Sequence, residues 1–180
     1  MNNKYIIYMK AGPYCGYSLK EIEKIKNNED KLYGKFYWGY GGVFCHPKRV
    51  LEFVKSAIKR GEKILVYFSI TKSKFNSPIP RCHYQSADKN NWKRLSSEVI
   101  LVGNQYSLVC TNLKRANFFI NLFDYSATLG DKPGKSLGDY VKYRVDKATA
   151  ILKKEKTGQT RNIDISYVCE LVPPYCVYVK

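Results

Sequence analysis

A chain of 180 residues with 44% hydrophobic side chains can bury about two-thirds of its extended surface in one core, which excludes a disordered tail and calls for no second domain. Thirty-one Lys and Arg against 15 Asp and Glu give a net charge of +16. The excess is +7, +6 and +3 over successive thirds, so it belongs to the folded body and not to a detachable basic arm.

KYIIYM, residues 4–9, is a β-rich run that ends at Ala11-Gly12-Pro13, a strand followed by a turn. Ser18 with Glu21 three residues on forms a capping box for a helix on Leu19, Ile22 and Ile25, which frays at Asn27-Asn28. A short strand over Lys35–Trp38 leads into a glycine-rich segment. Pro47 then opens a second helix whose Val50, Leu51, Val54, Ala57 and Ile58 recur at helical spacing and which Gly61 stops. KILVYFSI, residues 63–70, is continuously β-branched and aromatic, the pattern of a strand covered on both faces.

Residues 71–97 lose all periodicity and read as a long basic and aromatic loop or hairpin. EVILVG and QYSLVC flank Gly103-Asn104 as a hairpin or bent strand. LKRANFFINLFDY, residues 113–125, fits a helical stripe through Leu113, Ala116, Ile120 and Phe123 and is expected as a helix, although FFINLF within it reads equally as a strand. Ser136 with Asp139 opens a long helix to about Lys154, with Leu137, Val141, Val145, Ala148 and Leu152 on its buried face and Arg144 and Lys147 on the other. ISYVCELV and YCVYV are two strands around Pro173-Pro174, predicted at a sheet edge because neither proline can join a ladder. The expected fold is one domain over 1–180, α+β or α/β, with a mixed central sheet of about five to seven strands and about three to four helices.

The six cysteines contain no CxxC pair, and no four ligands cluster in the sequence, so neither a metal nor a cofactor is expected. The first residues lack a secretory pattern, and no apolar run approaches the roughly 20 residues that span a bilayer. Together these predict free thiols in a cytoplasmic protein, in the host cytoplasm if it is viral, away from membranes.

Chemistry concentrates in two places. In GKFYWGYGGVFCHPKRV, residues 34–50, glycines let the backbone approach a ligand, Trp38 and Tyr40 can stack on a base, and Lys48 and Arg49 occupy a helix first turn where an anion would offset their unfavourable placement. The same stretch reads equally as a tight corner with Trp38 and Phe44 in the core, and it matches neither GxGxxG nor GxxxxGK[ST]. In the 71–97 segment Lys72, Lys74, Arg81, Lys89, Lys93 and Arg94 interleave with Phe75, His83, Tyr84 and Trp92, a mixture suited to a sugar-phosphate backbone or to an acidic protein surface.

Catalytic groupings are thin. Cys45, His46 and His83 are the residues an enzyme would use, through a Cys45–His83 or Cys82–His46 pair. Gly130 to Ser136 imitates a P-loop ending but lacks its spacing, and Asp88, Asp124, Asp131, Asp139, Asp146 and Asp164 form no nuclease motif.

The leading expectation is therefore a nucleic-acid-binding protein without catalytic activity. It contacts phosphates through a basic face, and its nucleic-acid or anion-binding residues are Trp38, Tyr40, Lys48, Arg49, Lys72, Lys74, Arg81, Tyr84, Trp92, Lys93 and Arg94. The alternative is an inhibitor-like accessory protein of a phage or mobile element that engages an acidic partner protein, and after it a nucleotide-binding or nucleotide-processing enzyme. Lysine outnumbers arginine, which fits compositional drift of the source as well as it fits phosphate contact.

Overall fold

Alternating side chains along β1 (Tyr5–Ala11) divide the interior in two. Tyr5, Ile7 and Met9 pack towards the two long helices, whereas Ile6 and Tyr8 pack on the opposite side with Ile120, Leu122, Tyr125 and Leu137. The computed structural model in which this is seen describes residues 3–42, 45–74, 80–128, 134–141 and 146–180. β1 runs parallel to β3 (Ile64–Ile70), in register from Tyr5 opposite Ile64 to Ala11 opposite Ile70. Both strands are buried on two faces, as their continuous apolar runs require.

The helices obey their start signals. At α1 (Leu19–Tyr33) the Ser18 hydroxyl accepts the Glu21 N–H, and the Glu21 carboxylate accepts the Ser18 N–H at 2.7 Å. The helix does not fray at Asn27-Asn28 but continues to Tyr33, because its second half is tied down by carboxylates. Glu29 accepts the N–H groups of Tyr37 and Ile100, both at 3.0 Å, and Asp30 accepts the Asn112 N–H at 2.7 Å. α2 (Pro47–Ile58) carries Pro47 in its first turn and buries Val50, Phe53, Val54 and Ala57, while Ile58 stays exposed.

The remaining strands are β2 (Phe36–Tyr40), β4 (Tyr84–Ser86), β5 (Lys93–Arg94), β6 (Tyr106–Asn121), β7 (Tyr125–Ala127), β8 (Lys147–Leu152) and β9 (Asn162–Val179), with a 3₁₀ turn over Leu122–Asp124 and a third, four-residue helix α3 (Leu137–Tyr140). They form a nine-stranded mixed sheet in the order β2-β6-β9-β3-β1-β8-β7, with the β4–β5 hairpin attached through β4 to the end of β9. Apart from β1 with β3, the pairings among the described strands are antiparallel. The chain is thus a single α+β domain, with more strands than the five to seven expected.

Four expected elements differ. EVILVG is not a strand: it makes only an isolated bridge, Val102 with Arg81, and its other backbone groups bond chiefly to the side chains of Glu29, Lys26, Arg81 and Asn104. LKRANFFINLFDY is not a helix. It belongs to β6, the 3₁₀ turn and the start of β7, because β9 offers a long ladder partner from Lys114 opposite Val168 to Asn121 opposite Asn162. The helix expected to run to Lys154 ends at Tyr140, and KATAIL becomes β8. A separation of four, as between Ala148 and Leu152, keeps two residues on one face in a strand as well as in a helix, and pairing with β1 decides between them. Val145 and Arg144 of that expected helix lie outside the described residues.

Finally, Pro173 and Pro174 sit in the middle of the sheet, not at its edge. Between Cys176 opposite Leu108 and Leu171 opposite Cys110, β9 spends four residues against one of β6. The prolines ride in this bulge, where no ladder N–H is demanded of them.

Candidate functional site

β1 and β2 are far apart in the strand order, yet both line one cavity. The sheet curls so far that Trp38 on β2 packs its ring on Phe68 of β3, centroids 4.3 Å apart. The cavity holds about 240 Å³ between the curled sheet and α1. Its walls come from the end of β1 (Met9–Gly12), the turn Tyr14–Tyr17, Ile22 and Lys26 of α1, Trp38–Gly41, the segment 100–104, and Asp146-Lys147.

Local sequence explains each wall. Tyr14 and Tyr17 exchange both backbone hydrogen bonds at 3.0 Å around Cys15 and Gly16, which both have positive φ, so the two tyrosines hang from a two-residue turn over the opening. Gly39 is required by closeness: a Cβ there would stand 2.2 Å from Asn104 Oδ1. That oxygen accepts the Val102 N–H at 3.1 Å, and the Nδ2 of Asn104 engages none of the described residues.

Charge in the cavity is already partly matched. Lys26, almost wholly buried, donates to Glu29 at 2.7 Å and to the Ile100 carbonyl at 2.9 Å. Burial holds its ammonium below the usual lysine value, and Glu29 opposes that shift. Lys147, also buried, donates to Asp146 at 2.5 Å and lies 6.0 Å from the centroid of the Tyr40 ring. Lys10 joins no ion pair among the described residues, so one cation is left over.

Tyr40 is the shared wall between this cavity and a second feature. Its hydroxyl donates to the Cys45 carbonyl, and its ring meets Tyr106 at 5.5 Å. Tyr106 and Tyr178 in turn enclose His46, at 5.3 and 5.7 Å. Lys89, at the tip of the β4–β5 hairpin, lies 4.8 Å over the Tyr178 ring. The start of α2 and the hairpin therefore meet on one tyrosine. Lys48 and Arg49 are exposed beside His46, and Lys93, Arg94 and Tyr84 are exposed on the hairpin. Asp88 builds the hairpin turn, accepting the N–H groups of Asn90 and Asn91 at 2.8 and 2.9 Å, which hold its carboxyl well below the usual range. Trp92 is half-buried: its Nε1 donates to the Lys89 carbonyl, and Lys180 sits 4.1 Å over its ring.

The site residues expected from sequence thus part company. Trp38 and Tyr40 face the cavity; Lys48, Arg49, Tyr84, Trp92, Lys93 and Arg94 share the edge around Tyr178. Lys72 and Lys74 are exposed after β3, where Thr71 bonds the Ala11 carbonyl, a position nearer the cavity than the hairpin. Arg81 is taken up internally, donating to the carbonyls of Ser97 and Val99. Phe75 and Phe44 lie outside the described residues, as do residues 130–133 of the P-loop-like stretch. Ser136 occupies the N-cap position of α3 but makes no side-chain bond there.

The thiol pairings are not formed. Cys45 is buried and its thiol is pushed up to about 12 by desolvation, the reverse of what a thiolate nucleophile needs. His46 Nδ1 caps α2 by accepting the Lys48 N–H at 3.4 Å, Cys82 Sγ donates to the Asn104 carbonyl, and His83 is exposed. Among the described residues no three of His, Cys, Asp and Glu gather as metal ligands, and no helix is long and apolar enough to cross a membrane.

Lys10, Tyr14, Tyr17, Lys26, Asn104 and Lys147 are not among the residues that sequence reasoning singles out. Tyr14-Cys15-Gly16-Tyr17 carries a readable signal, a glycine turn flanked by rings; the others come together only through the curl of the sheet. The chain matches no protein-family model, no curated protein and no solved structure.

Proposed function

We propose that the protein binds nucleic acid without catalysing a reaction, with its phosphate contacts on the edge around Tyr178. The observation that supports this reading is the meeting of His46 and Lys89 on Tyr178, which brings the start of α2, with exposed Lys48 and Arg49, near the hairpin that carries exposed Lys89, Lys93 and Arg94. Ammonium and guanidinium groups there attract a polyanion, and Tyr84 and Trp92 offer rings beside them. The first turn of α2 holds two cations and no carboxylate, an arrangement that a bound phosphate relieves.

Fluorescence anisotropy with short single-stranded and duplex oligonucleotides across a salt series tests it. Affinity should fall with rising salt. Replacing Lys48 and Arg49, or Lys93 and Arg94, by alanine should flatten the logarithmic slope by about 0.7–0.9 for each phosphate that is no longer neutralised. Absence of binding at low salt, or an unchanged slope in both double variants, overturns the reading. A protein captured directly from nuclease-treated lysate, with no oligonucleotide binding, would point to the acidic-partner alternative.

A further inference from the structure

The cavity under α1 asks for a different ligand from the open edge. At about 240 Å³ it falls just below the roughly 300–1,000 Å³ of drug-sized sites, which suits one ring system with a small appendage. Its walls are aromatic: the Trp38 indole, held from behind by Phe68, and the Tyr14–Tyr17 turn. Among the described residues its one carboxylate, Asp146, is met by Lys147, and two donors remain uncommitted. Asn104 Nδ2 is available because Oδ1 is committed to Val102, and Lys10 is the cation left after Lys26 and Lys147 meet Glu29 and Asp146. A bare phosphate would leave the rings without a partner, and a neutral hydrocarbon would leave Lys10 and the Asn104 amide unused. A planar heterocycle bearing one phosphate satisfies both sets.

We infer that this cavity takes a single nucleotide unit, its base against Trp38 and its phosphate towards Lys10. As a free nucleotide the ligand needs nothing further. As part of a strand, which rests on the function proposed above, it would be one residue turned out of the stack into the cavity, with Tyr40 standing between it and the phosphates on the basic edge.

The test reads Trp38 directly. In a Trp92→Phe background Trp38 is the only tryptophan, and its emission is followed while each of the four common ribonucleoside monophosphates is added. At least one should quench it to saturation, and Lys10→Ala should weaken that binding by about tenfold, the effect of removing one charge-assisted hydrogen bond. Gly41→Leu is the second variant. Gly41 lines the cavity, and a Cβ there meets nothing within 4 Å, so the added side chain has room to narrow the opening and should abolish quenching with the circular dichroism spectrum unchanged.

No quenching by any monophosphate at millimolar concentration, or Lys10→Ala and Gly41→Leu both binding like the parent, overturns the inference. An oligonucleotide arm separates it from the function above. A strand that binds with a salt slope while neither it nor the monophosphates alter Trp38 leaves the edge standing and sinks the cavity. Monophosphate quenching without strand binding does the opposite. Quenching by both, with competition between them, identifies the strand as a source of the nucleotide.

Discussion

Glu29 is fully buried and holds the ammonium of Lys26, three residues before it, at 2.7 Å. The same carboxylate accepts backbone N–H groups from Tyr37 and Ile100, so it fastens α1 to β2 and to the 98–101 segment at once. Lys26→Met should cost about 3–5 kcal/mol, because it leaves a buried carboxylate without its counter-ion. Lys26→Met with Glu29→Gln should recover part of that loss, since no lone charge remains and the amide oxygen can still accept a backbone N–H. Urea denaturation of both variants checks the order; a double variant weaker than the single one would show that the pair is not the fastening.

Gly39 and Gly41 flank Tyr40 and should respond differently to alanine. At Gly39 the new methyl would collide with Asn104 and with Leu101 Cδ2, the latter at 2.8 Å, and a loss of about 1–3 kcal/mol is expected from overpacking. At Gly41 it meets nothing within 4 Å, and stability should be nearly unchanged. Thermal melts of the two variants side by side decide the matter.

His46 should titrate below the ordinary histidine value of about 6.5, first because it is partly desolvated and then because Lys89, Lys48 and Arg49 surround it. As pH falls through about 6.5 the unfolded chain takes up this proton before the folded one does. The contribution of His46 is therefore intact above that value and is lost as pH drops through its lower folded value. NMR titration should place His46 higher in Lys89→Ala than in the parent; an unmoved value would remove Lys89 from its surroundings.

Asp88→Ala should loosen the hairpin without unfolding the sheet. The amides of Asn90 and Asn91 lose their acceptor, and hydrogen exchange there should accelerate while β1 and β3 keep their protection. The carboxylate is held well below the usual range, so its hydrogen bonds persist through mild acid and fail only as pH falls through that low value. Oligonucleotide affinity should drop with the hairpin.

Alkylation with iodoacetamide at mildly alkaline pH should label Cys15 first. The other five thiols are buried, and those of Cys45 and Cys176 are pushed up to about 12. Mass spectrometry should find one modified residue in the native protein and six after denaturation; rapid labelling at Cys45 would contradict its burial.

What the sequence makes legible is local. Ser18 with Glu21, Pro47 at a first turn and the unbroken 63–70 run each name their element from a few neighbouring residues, and each stands in the fold. What stays illegible depends on partners far along the chain. Ala148 and Leu152 share a face in either secondary structure until β1 chooses for them. FFIN becomes strand because β9 lies alongside, and Pro173-Pro174 enters the sheet only because β9 bulges there against β6. The cavity is the extreme case: Lys10, Trp38, Asn104 and Lys147 are contributed by four separate segments, and only Trp38 belongs to a stretch whose own residues suggest binding.

β9 occupies the middle of the sheet, between β3 and β6, yet it is the last strand in chain order. During synthesis the earlier strands must wait with unsatisfied edges facing one another across a gap, a slow, non-local closure that exposes them to self-association. β3 and β6 can therefore join one sheet only after the chain has been made through residue 179.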